Sequence, residues 1–252
     1  MYAFILAAGL GTRLRPLTDT MPKALVPVNG KPLLQHQIER LRDAGFRHIV
    51  INVHHFAQQI IDFLAAHENF GLDIRISDET KELLETGGAL KAAAPLFRTF
   101  NGDERQPILI HNVDILHNLN LRTFCQEHAD ASTSTLLVSS RSTSRYLLFD
   151  QYKQLVGWTN TKTGEEKGPI VEVTEAERDI KFGKLSQLAF SGIHLFSPIL
   201  FPLMEEWPER FSIIDFYLKA SKQNSIQGAV VSEFKMVDVG KLDTLSEASA
   251  MI

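Results

Sequence analysis

The chain has 252 residues, 44% hydrophobic and 22% charged, with a formal net charge of −4. That length suits one large α/β domain or two small ones, and the mild acidity offers no broad basic field of the kind that bulk nucleic-acid binding needs. A lone cysteine, Cys125, excludes an intramolecular disulfide and reads as core filler in a reducing compartment, and no apolar run approaches the roughly 20 residues of a membrane helix.

Residues 2–7 form a continuous apolar strand, of the kind a parallel sheet buries on both faces. This opening stretch lacks a basic leading region, so it reads as strand rather than export signal, and the cytoplasm is the expected location. Residues 31–45 carry Leu34, Ile38 and Leu41 at helical spacing and end at Gly45. A strand follows over 48–53, a helix over 57–67 and a strand over 72–77. The helix in "ETGGALKAAAPLF" has Thr86 as its expected cap. One strand is expected over 107–116 and a helix over about 120–129. Strands alternating with helices predict an α/β fold: a Rossmann-like mixed, mostly parallel sheet with helices on both faces. Ligands of such sheets bind outside the carboxyl ends of the strands. The loop after the first strand and Asp114 both lie at such ends.

After residue 130 the pattern turns β-rich. "STSTLLVSS" and "YLLFD" are strands, and "KQLVGW" pairs with the latter as a hairpin. Residues 159–184 are polar and contain glycine; they read as an insertion or flap over the site, poorly packed without ligand. A core strand over 188–197, a helix over 212–223, a short strand and a terminal helix complete the chain. With no repeat or linker, one domain over 1–252 is expected, divided into halves 1–130 and 131–252.

The long loop after the first strand carries the chemistry. "LAAGLGTRLRPLTDTMPKALVPVNGKPLL" lacks the third glycine of a dinucleotide fingerprint and the Gly-Lys-Ser/Thr ending of a P-loop. It still suits phosphate. Gly9 and Gly11 let backbone N–H groups approach an anion. Arg13 offers a planar fork of donors, and Lys23 a compact charge on a loop stiffened by Pro22. Arg15 reads as a solvated surface charge. The adjacent His54 and His55 point to opposite faces and are not expected to share a metal. His111 is expected to pack beneath the site.

This loop resembles the signature of the sugar-1-phosphate nucleotidyltransferases. The resemblance continues in order through "LETGGAL" (84–90), "HNVDI" (111–115), "FSGIHLFSP" (190–198) and "VDVGKLDTLSEA" (237–248). It is strongest toward the compact N-acetylmuramate-1-phosphate uridylyltransferases and mannose-1-phosphate guanylyltransferases. It implies joining of a nucleoside triphosphate to a sugar 1-phosphate with release of pyrophosphate, for precursors of cell-wall or surface polysaccharides. UTP is the first expectation for the nucleotide and GTP the second. Residues 1–130 become the nucleotide-binding half and 131–252 the sugar-phosphate-binding half.

The resemblance further implies Mg²⁺ on Asp114 and Asp238, Arg13 on the leaving phosphates and Lys23 on the α-phosphate. Ala8, Gly9, Gly11, Thr12, Glu79, Thr86 and Gly87 would meet the nucleotide, with Gly87 and Gly88 presenting backbone groups to the base. Asn112, Tyr146, Ser191 and Gly192 would face the sugar phosphate. Glu172 is a candidate for sugar hydroxyls, and Lys162 or Lys167 for its phosphate. Val113 departs from the glycine that many members place before the metal aspartate. Two other readings stay open: a non-catalytic nucleotide-sugar sensor, and a cytidylyltransferase for phosphocholine with Tyr146 and Trp158 as its aromatic cage. Neither nucleic acid nor membrane is an expected partner, and the oligomeric state is open.

Overall fold

Alternation along the first strand decides the layering. In the computed structural model, which describes residues 1–100 and 102–251, Ala3 and Ile5 face one core while Tyr2 and Phe4 face another. In chain order the first half holds β1 (Tyr2–Leu6), β2 (Pro27–Val28), β3 (Lys31–Pro32), α1 (Leu33–Asp43), β4 (His48–Val53), α2 (Ala57–Ala66), β5 (Asp73–Asp78), α3 (Glu85–Arg98), β6 (Ile108–Asn112), β7 (Ile115–His117) and α4 (Leu121–His128). The second holds β8 (Thr133–Ser139), β9 (Arg145–Phe149), β10 (Leu155–Asn160), β11 (Glu165–Lys167), α5 (Glu175–Phe182), β12 (Ser186–Phe196), α6 (Phe201–Met204), α7 (Ile213–Ala220), β13 (Ser225–Val230), β14 (Met236–Asp238) and α8 (Thr244–Met251).

Strands β5, β4, β1 and β6 lie parallel in that order. Strand β12 then joins antiparallel to β6. It is long enough to serve two neighbours: its later residues pair with β8, which carries β13, and its first residues pair with β9. From β9 the sheet continues antiparallel through β10 to β11. The expected mixed, mainly parallel sheet is therefore present in the first half, and the β-rich second half grows from β12. Leu34, Ile38 and Leu41 of α1, with Ile60 and Leu64 of α2, bury their apolar stripe on the Ala3/Ile5 side. Leu90, Ala93 and Phe97 of α3 pack with Phe216 and Tyr217 of α7 on the other. Helices thus cover both faces. Cys125 is buried core, its thiol pushed up to about 12 by burial.

Three local expectations change. The apolar run 107–116 is two strands, because the chain turns at Val113 and Asp114 between β6 and β7. Helix α3 begins at Glu85, with Leu84 in the cap position, so Thr86 lies inside the first turn rather than capping it. The polar segment 159–184 is packed. Val156, Ile170 and Phe182 close with Leu148 into a small core of their own. Thr174 and Glu177 form a reciprocal capping box at the start of α5. Half-buried Arg178 pairs with Glu166 at 2.8 Å, and Lys222 pairs with Glu172. Its charged residues sit on the outer face of an amphipathic unit, which is why composition alone suggested a loose flap.

Ile170 is fully buried in that small core. Ile170→Ala should therefore cost about 2–5 kcal/mol in urea unfolding, the range for emptying a packed aliphatic site. A cost below about 0.5 kcal/mol, ordinary for a surface position, would mean that the segment is loose after all.

Candidate active site

A cleft of about 420 Å³ opens at the carboxyl ends of β1, β4, β5 and β6. Its lining includes Ala8, Gly9, Gly11, Thr12, Arg13, Lys23, Glu79, Thr86, Asn112 and Asp114. The loop after β1 reaches it by folding tightly on itself. Gly11 has φ +63°, and a methyl there would lie 2.9 Å from Thr18 Cγ2 and 3.0 Å from Lys23 Cβ. Only glycine tolerates both that backbone and that contact. The Thr18 hydroxyl donates to the Gly11 carbonyl at 2.8 Å, closing the loop and delivering Lys23 to the cleft floor. Arg15, as expected, is outside, paired with Asp19 on the surface at 3.2 Å.

Four charged side chains converge. The break at Val113 and Asp114 turns Asp114 into the cleft, where the buried Lys23 ammonium pairs with its carboxylate. Strand β14 pairs with β7, setting Asp238 opposite Ile115, and Val239 N donates to the Asp114 carbonyl at 2.9 Å. A methyl on Gly240 would lie 2.8 Å from Asp238 Oδ1 and 2.9 Å from Arg13 Nη2, so the absence of a side chain there leaves both groups room beside one another. Desolvation by the surrounding protein and then the Asp114 charge push the Asp238 carboxyl above its ordinary range, while Lys23, Arg13 and Arg141 pull the other way.

The base of this turn is held by neutral imidazoles. His111 Nδ1–H donates to the Asn112 carbonyl at 2.7 Å, so its Nε2 accepts from His117 Nε2–H at 2.9 Å. His117 Nδ1 in turn accepts from Leu119 N at 3.0 Å. Burial holds both rings neutral, pushing His111 down to about 4 and His117 to about 2. His111 is thus packed beneath the site, and these tautomers follow from the network. His54 Nδ1 meets the Glu79 carbonyl at 2.6 Å, whereas His55 is exposed against Phe56. Among the described residues no group of three His, Cys, Asp or Glu could hold a metal.

On the far wall, Asn52 ties three strand ends together. Its Oδ1 accepts from Ala7 N at 2.7 Å, and its Nδ2 donates to Glu79 Oε1 at 2.8 Å. Glu79 Oε2 accepts from Leu84 N at 3.2 Å, and burial raises the Glu79 carboxyl. Gly87 and Gly88 serve a different contact from the one expected. Both amides donate to the Phe211 carbonyl, at 2.9 and 3.2 Å, and a methyl on Gly88 would lie 2.0 Å from the Glu209 carbonyl oxygen. They allow close approach of the chain around 209–211, which leaves no N–H for a base. Thr86 does line the cleft, and its hydroxyl oxygen accepts from Ile213 N at 3.0 Å.

A second cavity of about 490 Å³ lies in the β-rich half, lined by Arg141, Arg145, Tyr146, Trp158, Lys167 and Asp215 among others. Tyr146 is in it, with its hydroxyl oxygen accepting from Thr143 N at 3.1 Å. Ser191 is not: it is buried, and its hydroxyl donates to the Leu137 carbonyl at 2.7 Å. Gly192 sits at the irregularity in β12 and faces the Asn112 side chain rather than this cavity. Glu172 lies in the turn Pro169–Glu172, tied to Lys222, so neither is it a cavity residue. Lys162 is exposed in the turn between β10 and β11.

Residues 2–252 match the family model described as nucleotidyl transferase. The chain belongs to the sugar-1-phosphate nucleotidyltransferase family. It is 34% identical over 201 residues to an N-acetylmuramate α-1-phosphate uridylyltransferase of Caulobacter vibrioides, covering 78% of this chain and 75% of that protein. To the protein of that name in Neisseria meningitidis serogroup B it is 44% identical over 120 residues, 48% of this chain and about half (49%) of the relative. A UDP-glucose pyrophosphorylase solved with UDP-glucose shares the fold, with a TM-score of 0.73 at 18% identity over 99% of this chain and 97% of that one.

Within this nucleotidyltransferase, several cleft residues had no motif to announce them. Asn52 shows only as a polar residue inside the apolar strand "HIVINV". Arg141 from the loop after β8, Asn160 of β10 and Asp215 of α7 come together only in the folded second half, which spacing along the chain does not reveal.

One consequence is measurable without substrate. A carboxyl raised by the fold adds stability below its unfolded pKa and loses that contribution as pH rises through its folded value. At neutral pH the ionised Asp238 is therefore a net cost. In the presence of EDTA, Asp238→Asn should melt higher than the parent at pH 7, with the gap closing as pH falls through the carboxylate range. A lower melting temperature for the variant at pH 7 would show that Asp238 is instead held by its cations.

Proposed function

We infer that this enzyme joins UTP to a sugar 1-phosphate, giving a UDP-sugar and pyrophosphate, with N-acetylmuramate 1-phosphate as acceptor and GTP as the second choice of nucleotide. The observation that carries the reading is the gathering of Arg13, Lys23 and Asp114 in one cleft, with Asp238 beside its Gly240 wall, together with a second, cation-lined cavity. The names of the two uridylyltransferase relatives support the base and the acceptor. A triphosphate substrate and a single unpaired thiol suit a cytoplasmic enzyme, and among the described residues no helix is long and apolar enough to cross a membrane.

The acceptor phosphate is already an anion, so no protein base is needed to make it a nucleophile. The barrier is the approach of two polyanions, and positioning with charge neutralisation lowers it. Arg13 takes the departing β,γ-phosphates in its planar fork. Lys23, seated at the cleft floor, faces the α-phosphate. Ala8, Gly9, Gly11 and Thr12 bring the backbone against the triphosphate. Glu79 and Thr86 stand where the base enters, with Asn52 fixing the Glu79 carboxylate. Asn112 lines the first cleft with its side chain against Gly192, and is assigned to the sugar phosphate.

Asp114 and Asp238 fit Mg²⁺. They are two hard oxygen donors whose mutual repulsion a dication relieves, and Mg²⁺ completes its shell with phosphates and water instead of an all-protein cage. When bound, the ion supplies neutralisation of the phosphate charge and a fixed geometry at the α-phosphorus. A phosphocholine acceptor is disfavoured: Trp158 already has the Lys167 ammonium 5.2 Å from its ring, and Arg141 and Arg145 line the same cavity, so a quaternary ammonium would be repelled.

Pyrophosphate release from four nucleoside triphosphates against a panel of sugar 1-phosphates tests the assignment. Turnover should be highest with UTP and N-acetylmuramate 1-phosphate and vanish with EDTA. Release with no pair would point to a sensor. Asp114→Ala and Asp238→Ala should each lose at least about 10²-fold in kcat, the scale of removing one key electrostatic group. Full activity in either would remove that residue from the metal site. Arg13→Lys should also fall, because the bidentate fork is lost; unchanged kinetics would show that charge alone matters there.

A further inference from the structure

The floor of the second cavity is one face of β9, β10 and β11. Residues directly opposite one another in antiparallel strands share a face, and so do residues two apart along a strand. Trp158 stands opposite Leu147 on one side and Lys167 on the other; Asn160 stands opposite Arg145 and Glu165. The floor therefore has two rows, Leu147–Trp158–Lys167 and Arg145–Asn160–Glu165, and all six residues line the cavity. The rows are about 7 Å apart, two residues of strand rise. That separation lets a ring lying on Trp158 extend a substituent to the second row.

The three cations of this cavity differ in what they already hold. Lys167 is balanced by Asp215 at 3.5 Å and Glu165 at 3.6 Å. Arg141 is anchored through Nη2 to the Phe190 carbonyl at 2.9 Å, two residues before Gly192, which faces Asn112 of the first cleft, so it stands on the side of the cavity toward that cleft. Arg145 has no carboxylate partner within 4.0 Å among the described residues, and it belongs to the row without Trp158. A phosphate delivered to Asp114 and Asp238 is served by Arg141 and the cleft cations. Arg145 is then a planar donor fork with no anion assigned to it, held on a strand rather than a loose loop.

We propose that Arg145 is the specificity-determining residue of the acceptor site: it binds a carboxylate on the sugar and selects acidic sugar 1-phosphates over neutral ones. The pyranose lies on Trp158 with its phosphate toward Arg141 and its carboxylate in the Arg145 fork. This rests on the reading of the second cavity as the acceptor site.

The test compares kcat/KM for N-acetylmuramate 1-phosphate with that for N-acetylglucosamine 1-phosphate, which lacks the carboxylate-bearing ether. Where the neutral acceptor is turned over too slowly, its inhibition constant against the acidic one replaces its kcat/KM. Parent, Arg145→Gln and Arg145→Lys are measured, with an unchanged melting temperature as the check on folding. The acid-to-neutral ratio should fall about 10- to 100-fold in Arg145→Gln, the effect of losing a charge-assisted bidentate contact. Arg145→Lys should restore part of it. An unchanged ratio in both variants, with the parent active, would overturn the role of Arg145 while leaving the enzyme's assignment intact. A parent inactive with every sugar 1-phosphate would overturn the acceptor reading and this proposal with it.

Discussion

Two carboxylates held side by side are the constraint on which this structure turns. Asp114 and Asp238 are 124 positions apart in the chain. They meet because β14 docks on β7 and because the chain breaks direction at Val113. Desolvation first, and then repulsion from the Asp114 charge, raise the Asp238 carboxyl. The fold answers with two cations from one loop: Lys23 paired with Asp114, and Arg13 near enough to act electrostatically on Asp238. A dication and a polyphosphate would complete the same balance. The site is therefore less comfortable empty than occupied, as expected where catalysis rests on charge placed in advance of the substrate.

The two cavities are joined by a second device. The stretch 84–88 beside the first cleft is hydrogen-bonded to 211–213, through Leu84, Thr86, Gly87 and Gly88. Ser212, Ile214 and Asp215 then line the second cavity. One short segment of the second half thus forms part of both walls. Its close approach is possible only because Gly88 has no side chain toward Glu209. Arg210 adds a 3.0 Å ion pair to Glu85 across the same seam.

Much of this was legible in the sequence because the signals were local. Apolar runs and helical spacing located the alternating first half, since burial on both faces of a parallel sheet leaves a continuous hydrophobic strand. The loop motif placed Arg13 and Lys23, and the family resemblance implied that Asp114 and Asp238 would share one site. What was not legible depended on pairing. Nothing in "LETGGAL" says that its glycines face Phe211 and Glu209. Nothing in "FSGIHLF" says that Ser191 turns inward to Leu137. The segment 159–184 misled for a different reason. Its polar composition was real, but a capping box and two well-placed apolar residues, Ile170 and Phe182, are enough to pack it. The row of Arg145, Asn160 and Glu165 exists only once β9, β10 and β11 are in register.

The most direct measurement of the central claim is the crystal structure of the protein grown with Mg²⁺ and UDP-N-acetylmuramate. The account predicts one cation shared by Asp114 and Asp238, the uracil beside Glu79 and Thr86, and the pyranose over Trp158. A cation that avoids either aspartate, or a sugar lying away from the face formed by β9, β10 and β11, would contradict it.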